Sequence, residues 1–330
     1  MKLKKVVCCG LILMIFASSV FAAGKKTPFE KHGNLSIENG DLVDKNNNPV
    51  QLYGMSTHGI AWFPQYVNKE AFKSLRDEWN TNCIRLAMYT AEYNGYCTGG
   101  NQEYLKNLVF NGIDYATELG MYVIVDWHIL NDKNPEVYRE EAKKFFQEVS
   151  SKYKKNDNIL YEICNEPNSG TSWSDILSYA NYVIPEIRKN DKNAIVIVGT
   201  PDWCQKIDAV IPAPLDFDNV MYSVHFYANT HKEWLRSNLQ KAYEQGLAIF
   251  VSEFGTCDAS GNGGYNEYES RIWLQFLDEY NISYMNWSLA NKNETASVLN
   301  SSCRKTSKWV QTDLSESGKF IFNWYSKKEQ

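Results

Sequence analysis

Glu166 and Glu253 each stand just beyond an apolar run, residues 159–164 in one case and 247–251 in the other. A carboxylate in that setting is expensive unless it is paired or put to use. Two carboxylates facing one another across a cleft form the standard apparatus for cleaving a glycosidic bond. Three of the chain's five histidines, His58, His128 and His225, also stand at the ends of such runs. Arg85 lies in the run 83–87 with Tyr89 just after it, and Tyr227 and Trp287 mark the ends of two more. Either glutamate alone could be structural, paired with Arg85 or a histidine. The two together, in this aromatic and histidine company, point to catalysis.

Other chemistries lack their residues. There is no H-E-x-x-H or C-x-x-C grouping, so no metal is expected, and the three histidines come from separate runs. The stretch Gly54-Met55-Ser56-Thr57-His58 misses the last glycine of a serine-hydrolase elbow. Neither a P-loop nor G-x-G-x-x-G is present, so no nucleotide cofactor is expected.

The elements that must position these residues are legible as alternation. Eight short apolar runs, at 50–53, 83–87, 122–125, 159–164, 194–198, 220–224, 247–251 and 283–287, are rich in β-branched or aromatic residues. Such runs read as strands buried on both faces, as in a parallel sheet. Helical spacing appears at 70–79, 102–119, 136–153, 175–188, 233–243 and 268–280. The stretch after Val198 holds Pro201, Pro212 and Pro214, so an irregular or short helix is expected there. The fold class expected is α/β, a single closed (β/α)8 TIM barrel, with an open doubly wound sheet as the alternative. Asn39-Gly40 between Leu35-Ser36-Ile37 and Leu42-Val43 predicts a short β-hairpin before the barrel. In such a barrel function lies at the C-terminal ends of the strands, where Glu166, Glu253 and the histidines fall.

The N-terminus reads as a targeting segment. Lys2, Lys4 and Lys5 precede an apolar stretch around Leu11 to Phe16, and Val20-Phe21-Ala22 resembles a cleavage site. Residues 1–22 are therefore expected to be a secretory signal peptide, followed by a short polar leader at 23–33 and a catalytic domain spanning 23–330. Its removal takes away three lysines and no acid, so the formal charge moves from -5 to -8. An acidic chain argues against a nucleic-acid partner. No later 20-residue apolar span suggests a membrane anchor, and no exposed apolar helix stripe suggests a protein partner, so a secreted monomer is expected. Six cysteines remain after cleavage, at 83, 97, 164, 204, 257 and 303. Secretion permits disulfides, and the spacing does not choose among pairings. Cys83 and Cys164 sit in apolar runs and read as buried thiols.

Beyond the glutamates, the runs carry a resemblance. Ile163-Cys164-Asn165-Glu166-Pro167 resembles the Asn-Glu-Pro signature of glycoside hydrolase family 5, and Ser252-Glu253-Phe254-Gly255 resembles that family's nucleophile strand. The likeness runs from Gly54-Met55-Ser56-Thr57-His58-Gly59 to the segment 287–295, and is greatest to bacterial-type endo-β-1,4-glucanases. It implies Glu166 as acid/base and Glu253 as nucleophile of a retaining reaction. It implies Asn165 on the sugar 2-hydroxyl, Arg85 and Tyr227 beside the nucleophile, and His128 and His225 lining the cleavage subsite. It places His58, Trp62, Trp287, Lys292 and Glu294 on the non-reducing-side sugars, with Tyr89 a weaker carry-over. The implied partner is a β-glucan. A lichenase, xyloglucanase or mannanase on the same barrel remains open, as does a non-catalytic glycan-binding protein. No appended binding module is seen, which favours soluble or amorphous glucan.

Physical expectations accompany these roles. Arg85 and Tyr227 should lower the pKa of Glu253, while burial and the Glu253 charge should raise that of Glu166. Aromatic content is 14%, enough to provide flat faces for pyranose rings. Trp62, Trp173, Trp203 and Trp287 fall at or after strand ends and are candidates for stacking, with loop packing the alternative for Trp173 and Trp203. Trp79, Trp234 and Trp273 fall on helices and are expected in the core.

Overall fold

The computed structural model describes residues 26–328; the expected signal peptide lies outside them. Helix α1 (Pro28–His32) and a hairpin of β1 (Ser36–Glu38) and β2 (Asp41–Val43) come first. Eight strands follow: β3 (Tyr53–Thr57), β4 (Cys83–Tyr89), β5 (Tyr122–His128), β6 (Ile159–Cys164), β7 (Ile195–Gly199), β8 (Val220–Tyr227), β9 (Ile249–Gly255) and β10 (Ser283–Leu289). They close a barrel in the order β10-β3-β4-β5-β6-β7-β8-β9, every pair parallel. Each strand is followed by a helix: α2 (Lys69–Asp77), α3 (Gln102–Glu118), α4 (Arg139–Lys152), α5 (Trp173–Arg188), the short α6 (Pro201–Cys204), α7 (Glu233–Glu244), α8 (Glu267–Glu279) and α9 (Glu316–Tyr325). This is the (β/α)8 barrel, with the hairpin before it.

Several boundaries differ from the sequence reading. The first strand is residues 53–57, not 50–53. Val50 and Leu52 instead join the plug at the barrel's N-terminal mouth. Gly54 lets β3 and β4 approach: a Cβ there would lie 1.8 Å from the Cys83 carbonyl oxygen. Five other strands run two to four residues past the apolar runs, to Tyr89, His128, Tyr227, Gly255 and Leu289. Polar residues in these extensions still pair with the neighbouring strand, as Tyr89 does with His128. The leader is not merely a leader. Thr27 and Glu30 form a capping box with Pro28 in the first turn, and α1 results. Helix α9 escaped the sequence reading. It completes the outer ring, and its Tyr325 hydroxyl donates to the Gly54 carbonyl oxygen at 2.8 Å.

The core has layers. Helix faces pack on outward strand residues such as Leu86, Val125, Ile163 and Val224. Inside, the bottom layer is apolar, with Cys83, Ile124, Leu160, Met221, Phe250 and Met285 roofing the hairpin's Leu35 and Leu42. Period-two alternation puts Arg85, Asp126, Glu162, Ser223 and Ser252 one step higher, all fully buried. Above them lie the strand ends and the cleft. Trp79 and Trp273 are core, but Trp234 is 49% exposed on α7. It sits near the helix start, where its ring faces out toward His231 at the barrel's mouth. All six described cysteines are free thiols, and Cys83 and Cys164 are buried. Among the described residues no helix is long and apolar enough to cross a membrane.

Candidate active site

Three strands near the cleft carry an extra residue relative to a partner. On β9, residues 250 to 253 span what residues 223 to 225 span on β8. On β6, residues 162 to 164 match 197 to 198 on β7, and on β10, residues 287 to 289 match 56 to 57 on β3. A bulge re-aims side chains. On β9 it turns both Ser252 and Glu253 inward, where plain alternation would turn Glu253 out. On β6 it precedes Asn165 and Glu166, and on β10 it falls at Trp287.

Arg85 is the hub beneath the cleft. Its Nε donates to Glu162 Oε2 at 2.7 Å and its Nη2 to Glu162 Oε1 at 3.1 Å, a bidentate pair. Nη2 also donates to Asn165 Oδ1 at 2.7 Å and lies 3.1 Å from Asp126 Oδ2. Nη1 reaches Glu253 Oε2 at 3.2 Å and Ser56 Oγ at 3.3 Å. The other oxygen of Glu253 accepts from the Tyr227 hydroxyl at 2.7 Å. Glu166 has no contact with Arg85. Its Oε1 lies 2.8 Å from His225 Nδ1. One oxygen of Glu166 and one of Glu253 lie within 4.8 Å of each other.

Three carboxylates, Asp126, Glu162 and Glu253, thus share one guanidinium, and a fourth, Glu166, stands beside Glu253. A dry site cannot hold all four ionised, so protons must be retained. Burial pushes Glu166 up to about 8, against the opposing pull of Arg85 and with help from Asp126 and Glu162. Burial likewise lifts Asp126 to about 7. The expectation for Glu253 needs correcting. Its burial and the Glu166 charge outweigh His225 and Arg85, and its carboxyl lies above the ordinary range, not below it. Burial holds His225 down to about 4 and His128 well below the ordinary imidazole value, so both rings are neutral.

A cleft of about 520 Å³ opens over this layer, lined by His58, Trp62, Tyr89, His128, Glu166, His225, Tyr227, Glu253, Trp287, Lys292 and Glu294 among others. Arg85 and Asn165 lie under its floor instead. Both hydrogens of the Asn165 amide are engaged, on His128 Nε2 at 3.2 Å and the Ile129 carbonyl oxygen at 3.1 Å. Trp62 and Tyr89 have ring centroids 4.6 Å apart, and His128 stacks on Trp287 at 5.1 Å. Lys292 Nζ pairs with Glu294 Oε2 at 2.6 Å, and His58 Nε2 lies 3.5 Å from Glu294 Oε1. Burial would raise Glu294, but hydrogen bonds from His58 and Lys292 bring it below its ordinary value.

The two uncertain tryptophans part company. Trp173 is buried, donates to the Ala213 carbonyl oxygen at 2.8 Å, and packs on Tyr222. Trp203 is 40% exposed and lines the cleft. It is held out by left-handed backbone at Asp202, Trp203 and Cys204. Sequence reading missed Asp126, Glu162 and Ser252 as site residues, and Glu92, Gln205 and His231 as cleft lining. Glu162 had a signal: it is the one acidic residue inside the apolar run 159–164.

A family model described as cellulase, glycosyl hydrolase family 5, matches residues 43–293. The chain belongs to this family. It is a glycoside hydrolase. It is 48% identical over 298 residues to Endoglucanase A of Butyrivibrio fibrisolvens, covering 89% of this chain and 69% of that protein. It is 48% identical over 292 residues to an endoglucanase of Clostridium saccharobutylicum, covering 88% of this chain and 64% of that one. The chain thus spans about two thirds of the length of these two relatives. Among solved structures, the catalytic domain of Thermobifida fusca endoglucanase Cel5A, in complex with cellotetraose, superposes with a TM-score of 0.87 at 34% identity. The match covers 92% of this chain and all of that one.

Proposed function

We propose that this family 5 hydrolase is a secreted, monomeric endo-β-1,4-glucanase that cleaves internal bonds with retention of configuration. The observation that carries the reading is the carboxyl pair, with oxygens within 4.8 Å. Retaining enzymes hold their carboxyls about 5–5.5 Å apart, whereas inverting enzymes leave about 6.5–9.5 Å for a water. In the proposed reaction Glu253 attacks the anomeric carbon, positioned by Arg85 and Tyr227. Glu166 passes its proton to the glycosidic oxygen as that bond breaks. A glycosyl ester on Glu253 results, and the Glu253 charge is gone. Water then attacks the anomeric carbon, giving its proton to Glu166, and Glu253 leaves as the carboxylate.

His128 and His225 are assigned to the cleavage subsite, His58, Trp62, Tyr89, Trp287, Lys292 and Glu294 to the non-reducing-side sugars, and Trp203, across the cleft, to the leaving-group side. Asn165 is assigned to orienting the 2-hydroxyl, which requires its amide to share a hydrogen now given to His128 or Ile129. The endoglucanase names of the relatives and the cellotetraose held by the T. fusca domain support glucan over mannan. Secretion rests on residues 1–22 as a signal peptide, which leaves 23–330 as the catalytic domain.

The test is product analysis on carboxymethylcellulose, mixed-linkage glucan, xyloglucan and mannan, with Glu253→Ala as control. Fast viscosity loss on carboxymethylcellulose, absent in the variant, is expected. Activity confined to mannan or xyloglucan would overturn the substrate while keeping the pair. Proton NMR of the first-formed sugar anomer checks retention.

A further inference from the structure

Behind the cleft a second line of hydrogen bonds joins Glu166 to the barrel's interior. His225 Nδ1 lies 2.8 Å from Glu166 Oε1, and His225 Nε2 lies 2.9 Å from Ser252 Oγ. Ser252 Oγ is 2.6 Å from Glu162 Oε1 and 2.5 Å from Ser223 Oγ. Glu162, Ser252 and Ser223 are fully buried.

Glu162 Oε2 takes Arg85 Nε, and its Oε1 takes Arg85 Nη2 and Ser252. Every contact brings a donor to it, so Glu162 is the acceptor-only carboxylate. Ser252 has a single proton, and pointing it elsewhere would set two lone pairs against each other at 2.6 Å. It therefore donates to Glu162. Its oxygen is left to accept, from Ser223 on one side and from His225 Nε2–H on the other. A neutral imidazole with its proton on Nε2 has a bare Nδ1. That bare nitrogen faces Glu166 and can be satisfied only if Glu166 carries a proton.

We infer that Glu162, acting through Ser252, is a positioning residue that fixes the Nε2–H tautomer of His225 and thereby holds Glu166 in its proton-donating form. The inference rests on Glu166 as the acid/base. It gives a reason for a fully buried carboxylate that no sugar can touch. Glu162 neutralises Arg85, and it also transmits its acceptor character across the barrel to the acid.

Ser252→Ala breaks the chain without removing a charge. The groups around Glu166 otherwise stay in place: Arg85 on β4, Asp126 on β5, Glu162 on β6, His225 on β8, Glu253 on β9, and the Cys204 thiol. Freed from Ser252, His225 can move its proton to Nδ1 and donate to an ionised Glu166, which lowers the acid's pKa. The alkaline limb of kcat/KM on an aryl β-cellobioside with a poor leaving group should therefore move to lower pH by about one unit or more. A merely structural loss would lower the rate and leave the limb where it was. Glu166→Gln is measured alongside. If it abolishes the limb while Ser252→Ala fails to move it, the relay is wrong and the acid/base assignment stands. If the limb persists in Glu166→Gln, that assignment fails and the relay with it. A second measurement needs no variant that must fold. Nitrogen-15 NMR of the wild-type protein should find His225 protonated on Nε2 and bare on Nδ1. The opposite tautomer would overturn the inference.

Discussion

Glu253 and Glu166 sit within 4.8 Å of one another, yet their surroundings give them different tasks. Glu253 is held by a cation and a phenol, and Glu166 by a neutral imidazole. Glu253→Ala is expected to abolish turnover, and azide should restore part of it by entering as the missing nucleophile. The azide product should be a glycosyl azide of inverted configuration, identifiable by mass and NMR. Glu166→Gln should cost about 10²–10⁴-fold on a poor leaving group and far less on dinitrophenyl cellobioside, which needs no acid. In the wild type, kcat/KM should fall as pH rises through about 8, where Glu166 loses the proton it must donate. A fall centred well below that would point to another group. The glutamates were legible in the sequence because a carboxylate beside an apolar run is rare and costly. Their electrostatics were only half legible: both carboxyls are raised, not Glu166 alone. The raised pKa of Glu253 reflects complete burial and a like charge nearby, neither of which a one-dimensional reading can weigh against Arg85.

At the scale of elements, the irregular α6 turn and the bulges matter more than the regular helices. Trp203 stands in the cleft because three successive residues adopt left-handed backbone, so it is a platform without a packing role. Trp203→Ala is expected to raise KM for longer oligosaccharides with little change in urea midpoint, whereas Trp173→Phe should cost about 1 kcal/mol of stability through its lost hydrogen bond to Ala213 and leave KM alone. Gly54→Ala tests the barrel seam. The new methyl would press on the Cys83 carbonyl oxygen, and a loss of about 3 kcal/mol or more is expected in urea unfolding. Element positions were readable from alternation, but strand ends were not. The apolar-run criterion stops where polar side chains begin, and in β4, β5, β8 and β9 those polar residues are the ones that face the cleft. Helix α1 was readable in hindsight from Thr27-Pro28 and Glu30, a capping box at its usual spacing.

For the whole molecule, the crowded carboxylates cost stability as pH rises. Glu166 and Asp126 hold protons when folded up to about 8 and about 7, against ordinary values of 4.5 and 3.8. Between those limits these two groups bind more protons in the folded state than in the unfolded chain, so the stability they contribute is full below about pH 4 and is lost as pH rises through about 7 and about 8. Glu166→Gln should thus be more stable relative to wild type at pH 8 than at pH 5, by about 1–3 kcal/mol once relaxation and water entry are allowed for. Urea titrations at both pH values check it. EDTA should leave activity unchanged. Glu166, His225 and Glu253 bring possible ligand atoms within 4.8 Å of one another, but a metal there would have to displace the proton shared by His225 Nδ1 and Glu166 Oε1, which the proposed reaction uses.

By itself the sequence determined the barrel, the family and many of the residues that line the cleft. Apolar periodicity and rare residue types are local properties, and a strand end is also a place in the primary structure. It could not determine which inward residues meet beneath the cleft. Asp126, Glu162 and Ser252 come from three different strands. They are joined only when the barrel closes around Arg85 and a bulge on β9 turns Ser252 and Glu253 to the same side. Contacts among residues 77 to 168 positions apart depend on strand order, stagger and bulges. Those are properties of the closed sheet, and the tertiary structure alone decided them.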